Sequence, residues 1–260
     1  QMSTLLLRQG LRLTKAFIWE RFFRNQWMLL YSLNSEKEKE FLPFTYLIPP
    51  SDRYWADPHV IFKDNHYYIF IEEVLYQKNK GHISVITIDE NWKFSSPKKI
   101  IERPYHLSYP FIFKWKNDYF MMPETRKNRS IELYKCKKFP YEWDFYKTLL
   151  DNITAVDTTL FYHNDTWWLF TSVKEHEGSI ASDELYLLSS KDPLSTNWTP
   201  HPKNPVISDV RKARSAGNIF VKDDQIYRPS QDCSRNYGYA ININQITKLN
   251  EQEFEETQIN

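Results

Sequence analysis

Asp57 in the stretch YWADPHV and Asp157 in AVDTTLF each open a short apolar run, and Glu124 follows the apolar FMM run through Pro123. Carboxyl groups do acid–base work when their surroundings push their pKa values apart, so that one keeps a proton that another has lost. Asp57 is a candidate for such work, with Asp157, Glu124 or Asp232 as its partner. Glu124 suits the acid: Pro123 fixes the chain before it, and the apolar run buries its surroundings, which raises a carboxyl pKa. Around these acids, the turns PYHLSYP (104–110), ETRKNRSIEL (124–133), VRKARSAG (210–217) and RPSQDCSRNYG (228–238) concentrate His106, Tyr109, Arg126, Arg129, Arg211, Arg214, Arg228, Gln231 and Asp232. A guanidinium presents a fork of donors that fits phosphate or carboxylate, so a nucleotide-sugar, a phospholipid-linked sugar or an acidic glycan would suit such a site. Each arginine could equally tie neighbouring structural units together, and Asp57 could simply cap a turn before Pro58.

Residues this far apart in sequence need a frame that converges them, and the sequence supplies one by repetition. The segments 56–73, 108–124, 156–172 and 215–232 run alike: a small or polar opening, a short apolar strand, a charged or amide pair, and an aromatic-rich return. Each reads as a β-hairpin. HISVITID (82–89) and PKKIIE (97–102) add two strands to the first unit, and SIELYKC (130–136) and YKTLL (146–150) to the second. Openings at 57, 109, 157 and 216 recur at intervals of 52, 48 and 59 residues, the period of four-stranded propeller blades. In a propeller the innermost strands line a central channel, so Asp57, Tyr109, Asp157 and Gly217 would open toward one funnel. The returning strands end in Glu72–Glu73, Glu124 and Gln231–Asp232, with Glu73 taken as the inward member of its pair. Trp167 and Trp168 are adjacent and so face opposite sides of a strand; one is core, and the other, taken as Trp168, offers a flat face to a sugar ring.

The expected architecture is all-β: a five-bladed β-propeller over residues 27–260, its fifth blade closed by pairing N-terminal strands from 27–50 with C-terminal strands from 233–260. Residues 1–26 form a lead-in with apolar and basic residues at helical spacing, an amphipathic helix that packs on the propeller or leads in from another domain in preference to lying on a membrane surface. A net charge of +1, from 34 basic and 33 acidic side chains, gives no electrostatic reason to expect a nucleic-acid partner. Aromatic residues make up 17 % of the chain and favour strands. Cys136 and Cys233 lack metal-ligand spacing, a disulfide between them stays open, and neither metal nor cofactor is expected. The four N-x-S/T sequons read as chance, since no signal peptide or membrane span is apparent; the expected setting is the cytoplasm, with peripheral membrane contact through the basic segment left open.

WADPHVIFKDNHYYIFIEE resembles the opening blade of the five-bladed glycosidase propellers that include arabinanases and β-xylosidases. That resemblance implies a general-base role for Asp57. Those enzymes also carry an Asp at the start of the second blade and a Glu acid further on, whereas this chain offers Ser108–Tyr109 and, at its fourth opening, Ala216–Gly217. Inverting hydrolysis would need two carboxyls about 6.5–9.5 Å apart, one of them protonated. WADPHVIF, GHISVI, PYHLSYPF, IELY, VDTTLF, WWLF, HPKNPV and RPSQD, in this order, are similar to the propeller at the N-terminal end of plant glucosamine inositolphosphorylceramide transferases. The resemblance implies a carbohydrate-active propeller of glycan assembly that transfers or modifies a sugar on a surface polysaccharide or glycolipid. Hydrolysis, and glycan binding without turnover beside a partner enzyme domain, remain the alternatives.

Overall fold

Strand alternation and two-residue turns account for most of the architecture. The structure, a computed structural model, describes residues 26–32, 44–174 and 180–259. Asp64–Asn65, Asn164–Asp165 and Asp223–Asp224 link paired strands, and both residues of each pair have φ between 50° and 58°. A tight hairpin needs that conformation, and Asn and Asp adopt it more readily than other side chains.

Four sheets result. The first holds β3 (Arg53–Lys63), β4 (His66–Leu75), β5 (Lys80–Ile88) and β6 (Lys98–Ile101), and the second β7 (Ser108–Trp115), β8 (Asp118–Thr125), β9 (Ser130–Lys138) and β10 (Glu142–Asp151). The third holds β11 (Ala155–His163), β12 (Thr166–Val173), β13 (Glu184–Ser190) and β14 (Thr199–Pro200), with β15 (Ile207–Ser208) also on β13. The fourth holds β16 (Phe220–Lys222), β17 (Gln225–Asp232), β18 (Ala240–Leu249) and β19 (Phe254–Ile259). Each is an antiparallel meander in sequence order, and the four are blades of a propeller.

Period-2 alternation sends apolar side chains to both faces of a blade, so each interface is a separate core. Phe70, Ile83 and Val85 meet Ile112, Met121 and Trp143 between blades one and two. Phe111, Phe113 and Leu133 meet Leu160, Trp167 and Leu169 between two and three. Trp168, Phe170 and Leu185 meet Ile219, Ile246 and Phe254 between three and four.

The expected fifth blade is corrected. The C-terminal strands β18 and β19 complete blade four, because Ile246 and Phe254 are committed to the core against blade three. The N-terminal β1 (Leu29–Tyr31) and β2 (Thr45–Leu47) pair only with each other, and Leu29 packs on the free face of blade one against Trp55, Ile69 and Ile71. Among the described residues there are thus four blades and a two-stranded ribbon, without N-to-C-terminal strand pairing. The expected helix at 1–26 lies outside the described residues, apart from Gln26. Cys136 and Cys233 are free thiols, and no described helix is long and apolar enough to cross a membrane.

Arg228 is the largest of the fully buried side chains described, and its Nε and Nη2 donate to Glu256 at 2.8 and 2.7 Å. Removing one partner of a buried ion pair strands the other charge, at a cost of about 3–5 kcal/mol. Arg228→Ala is therefore expected to lower Tm by roughly 6–20 °C in a thermal melt, taking about 2–4 °C per kcal/mol for a chain of this size; an unchanged Tm would refute the structural role.

Candidate active site

The innermost strands carry a repeated kink. The ladder slips between Ala56 and His59 in blade one, Ser108 and Phe111 in blade two, and Val156 and Thr159 in blade three. At each slip one residue is left-handed: Asp57 (φ 50°), Tyr109 (φ 43°) and Asp157 (φ 49°). Such a bulge re-aims a side chain, and a strained non-glycine conformation costs about 1–3 kcal/mol, so the surroundings must hold it. They do. The Tyr109 backbone N–H donates to Asp57 Oδ2 (3.2 Å), and the Gly217 N–H donates to the Tyr109 hydroxyl (3.2 Å), which lies 2.7 Å from Thr159 Oγ1. Openings of all four blades are thereby tied across the axis.

Over this collar lies a cavity of about 840 Å³ lined by Asp57, Glu72, His106, Tyr109, Glu124, Arg126, Lys127, Arg214, Gly217 and Gln231, with Trp27, Tyr54 and Tyr237 among its aromatic walls. Asp57, Pro58, Tyr109 and Gly217 also line a second, smaller space of about 210 Å³. Asp57 therefore borders both spaces.

Asp157 is buried beneath the cavity floor, where Arg214 Nε donates to its Oδ2 at 2.5 Å and Gln231 Nε2 at 3.1 Å. Glu124 has a different environment. Burial, then the charge of Asp157, pushes its pKa up to about 8, although Arg214 and Arg126, at 3.9 and 3.8 Å, pull the other way. Its Oε2 is buried with no donor in reach; a proton there would supply the missing hydrogen bond toward Asp157. Asp57 is also held well above the usual carboxyl range, by burial first and then by Glu72, Asp157 and Glu124. Burial thus favours the protonated form of both Asp57 and Glu124, while Asp157 is paired with Arg214.

Glu72, opposite Ala56 in the ladder, forms another wall. Tyr54 donates its hydroxyl to Glu72 Oε1 (3.1 Å), and His106 Nε2 lies 2.9 Å from the same oxygen. The Gly81 N–H donates to His106 Nδ1 (2.9 Å), which leaves Nε2 to carry the hydrogen toward Glu72. Only glycine permits that approach, since a Cβ at position 81 would stand 2.4 Å from the Leu107 carbonyl oxygen.

The structure brings Asp57, Asp157, Glu124, His106, Tyr109, Arg214 and Gln231 together; it leaves Arg129 on Asn152 and Arg211 on Asp209, and places Glu73, Trp168, Arg228 and Asp232 elsewhere as well. Glu73 faces away by strand parity; burial would raise its pKa, but hydrogen bonds from His82, Ser84, Arg53 and Trp55 hold it at about 2. Trp168 lies in the core between blades three and four, and Trp167 in the core between two and three, so neither is open to a sugar. Arg228 is bound to Glu256 and the Lys212 carbonyl. Asp232 caps its own turn, accepting from the Ser234 N–H. Sequence reading takes Glu73 over Glu72 as the inward member, although the spacing from Asp57 to Glu72 equals that from Tyr109 to Glu124; it misses Trp27, Tyr54 and Tyr237, which no repeat marks. Among the described residues no cluster of His, Cys, Asp and Glu has the geometry to hold a metal ion.

A family model described as glucosamine inositolphosphorylceramide transferase 1, N-terminal, matches residues 48–260. Glucosamine inositolphosphorylceramide transferase 1 of Oryza sativa is 34 % identical over 210 residues, 79 % of this chain, and that of Arabidopsis thaliana 31 % over 207 residues, 78 % of it. The chain spans 28 % and 27 % of the length of those relatives. Among solved structures, a β-xylosidase superposes with a TM-score of 0.64 at 12 % identity, over 88 % of this chain and 82 % of that one. A family 117 glycoside hydrolase of the marine bacterium Zobellia galactanivorans gives 0.59 at 12 % identity, over 89 % and 74 %. The catalytic domain of a GH62 α-L-arabinofuranosidase of Coprinopsis cinerea gives 0.58 at 13 %, over 77 % and 67 %. At such identities these structures share the fold.

A carboxyl whose folded pKa is raised leaves stability intact below its unfolded value and removes it as pH climbs to the folded one. For Glu124 that window runs from 4.5 to about 8. The Tm of the native protein is expected to fall across this window, and Glu124→Gln, which cannot ionise, to fall less and to exceed the native protein in relative stability at pH 8. Parallel Tm–pH curves would show that Glu124 titrates normally.

Proposed function

The chain belongs to the family of the N-terminal part of glucosamine inositolphosphorylceramide transferase 1, and from that premise we propose that it is a carbohydrate-active propeller of glycan assembly, transferring or modifying a sugar in its funnel. The observation that carries this reading is the set of unlike carboxyls at the collar: Glu124 with its pKa near 8, and Asp157 locked to Arg214. Glu124 holds a proton near neutral pH and is the acid that protonates a departing oxygen. Asp57, which borders the cavity, takes a proton from an incoming hydroxyl in its ionised form; burial makes that form the minor one near neutral pH, and the same burial makes it a strong base. Asp157 positions both by its charge and is itself fixed by Arg214 and Gln231.

Arg214 is already engaged, so an anionic ligand group falls to Arg126 and Lys127, which line the same cavity. A guanidinium and an ammonium at the rim suit the phosphate of a nucleotide-sugar or of a lipid-linked sugar. Peripheral membrane contact, a cytoplasmic setting and cooperation with a partner enzyme domain belong to the same proposal; the relatives' greater length supports the last.

Hydrolysis is the second reading, favoured by the fold shared with glycosidases and by the protonated Glu124. Mass spectrometry after incubation with sugar nucleotides plus glycan or glycolipid acceptors, and separately with aryl glycosides and polysaccharides, decides between the readings. Transfer product is expected with the first set, reduced about 10²–10⁴-fold by Asp57→Asn or Glu124→Gln, the usual contribution of a general acid or base, and declining above pH 8 as Glu124 loses its proton. Sugar release from the second set alone would establish hydrolysis, and product formation indifferent to both substitutions would overturn the assignment.

A further inference from the structure

The carboxyls occupy the deep end of the cavity, and the wall leading out of it toward the ribbon is aromatic. Trp27 is 43 % and Tyr237 52 % exposed, and both line the cavity. These rings are held in place. Gln26 Nε2 donates to the carbonyls of Pro49 (3.3 Å), Pro50 (2.9 Å) and Arg53 (3.0 Å), and the Trp55 N–H donates to the Trp27 carbonyl (3.3 Å), so the backbone bearing Trp27 is anchored on both sides. The indole lies against Gly238, where a Cβ would stand 2.6 Å from its Cη2 and where φ is +69°, so glycine at 238 allows the contact. Tyr237 meets the indole edge-on with centroids 6.2 Å apart, and the Arg214 guanidinium lies 4.9 Å from its ring centre.

We propose that Trp27 and Tyr237 form a second sugar-ring subsite beside the carboxyls, so that the ligand of the funnel is an oligosaccharide or a glycoside of at least two rings. The proposal rests on the reading that the funnel takes a carbohydrate. Arg214 fixes the arrangement of the two subsites, since it touches Tyr237 on one side and Asp157 on the other. A pyranose presents C–H groups on its face and hydroxyls around its rim. A preformed aromatic surface with carboxyl and basic groups close by matches both, at little entropic cost because the rings are already placed. The surface serves no interior packing: neither ring belongs to any of the four apolar cores.

The test is calorimetric titration of the chain with the methyl β-glycosides of glucose, galactose, glucosamine and glucuronic acid, their β-linked homodimers, and octyl β-glucoside. For at least one sugar the dimer is expected to bind about tenfold more tightly than the methyl glycoside, the equivalent of about 1.4 kcal/mol. Trp27→Ala is expected to bring that ratio close to one, Trp27→Phe to keep most of it, and Gly238→Ala to reduce it by displacing the indole, with Tm recorded for each. A dimer preference that survives Trp27→Ala overturns the subsite alone, as does a gain confined to octyl β-glucoside, which would make the wall an alkyl-chain site. Binding of no sugar at all overturns both the subsite and the carbohydrate reading beneath it.

Discussion

The left-handed kink at the opening of the innermost strands is the constraint on which the site depends. A regular strand would send the side chains at 57, 109 and 157 into the interfaces between blades, where the neighbouring apolar residues go. One slipped residue per strand turns them to the axis instead, and two aspartates and a tyrosine, Asp57, Asp157 and Tyr109, take the same strained geometry. The recurrence shows that the backbone frame imposes the conformation. Asp tolerates it comparatively well, whereas Tyr109 depends on contacts at its hydroxyl with blades three and four.

That frame creates an electrostatic problem, and the problem is the chemistry. Asp57, Glu72, Glu124 and Asp157 crowd a channel in which Arg214 is the deeply buried cation. Asp157 takes Arg214 at 2.5 Å, Glu72 takes Tyr54 and His106, and Glu124 and Asp57 are left with few donors. Low dielectric then favours a proton over a charge on each of them. Asp157 meanwhile acts on both neighbours through its field. The blade-two opening, where the glycosidase resemblance leads one to expect an Asp, is Tyr109, and the acid in that blade is Glu124 at the end of the returning strand.

Much of this was legible in sequence because it is local. Hairpins declare themselves in two-residue turns and period-2 patterns, and their recurrence gave the propeller and the convergence of Asp57, Glu124 and Asp157. What failed depends on parity or on distant pairing. Glu73 and Glu72 differ by one residue, and only the ladder opposite Trp55 and Ala56 says which one faces the channel. Arg214 and Arg228 look alike in their motifs, yet Glu256 near the end of the chain claims Arg228. Trp168 is as aromatic as Trp27, but the former faces blade four and the latter the cavity. The fifth blade failed because strand content was counted without asking which core each strand would fill; Ile246 and Phe254 belong against blade three.

The central claim is that the funnel holds a protonated carboxyl near neutral pH because Glu124 is buried beside Asp157. Site-resolved ¹³C NMR of the Glu124 side-chain carboxyl across a pH titration tests it without any substrate. The account expects a midpoint near 8, moving down when Asp157→Asn removes the neighbouring charge. A midpoint in the ordinary range of about 4–5 in the native protein would contradict it.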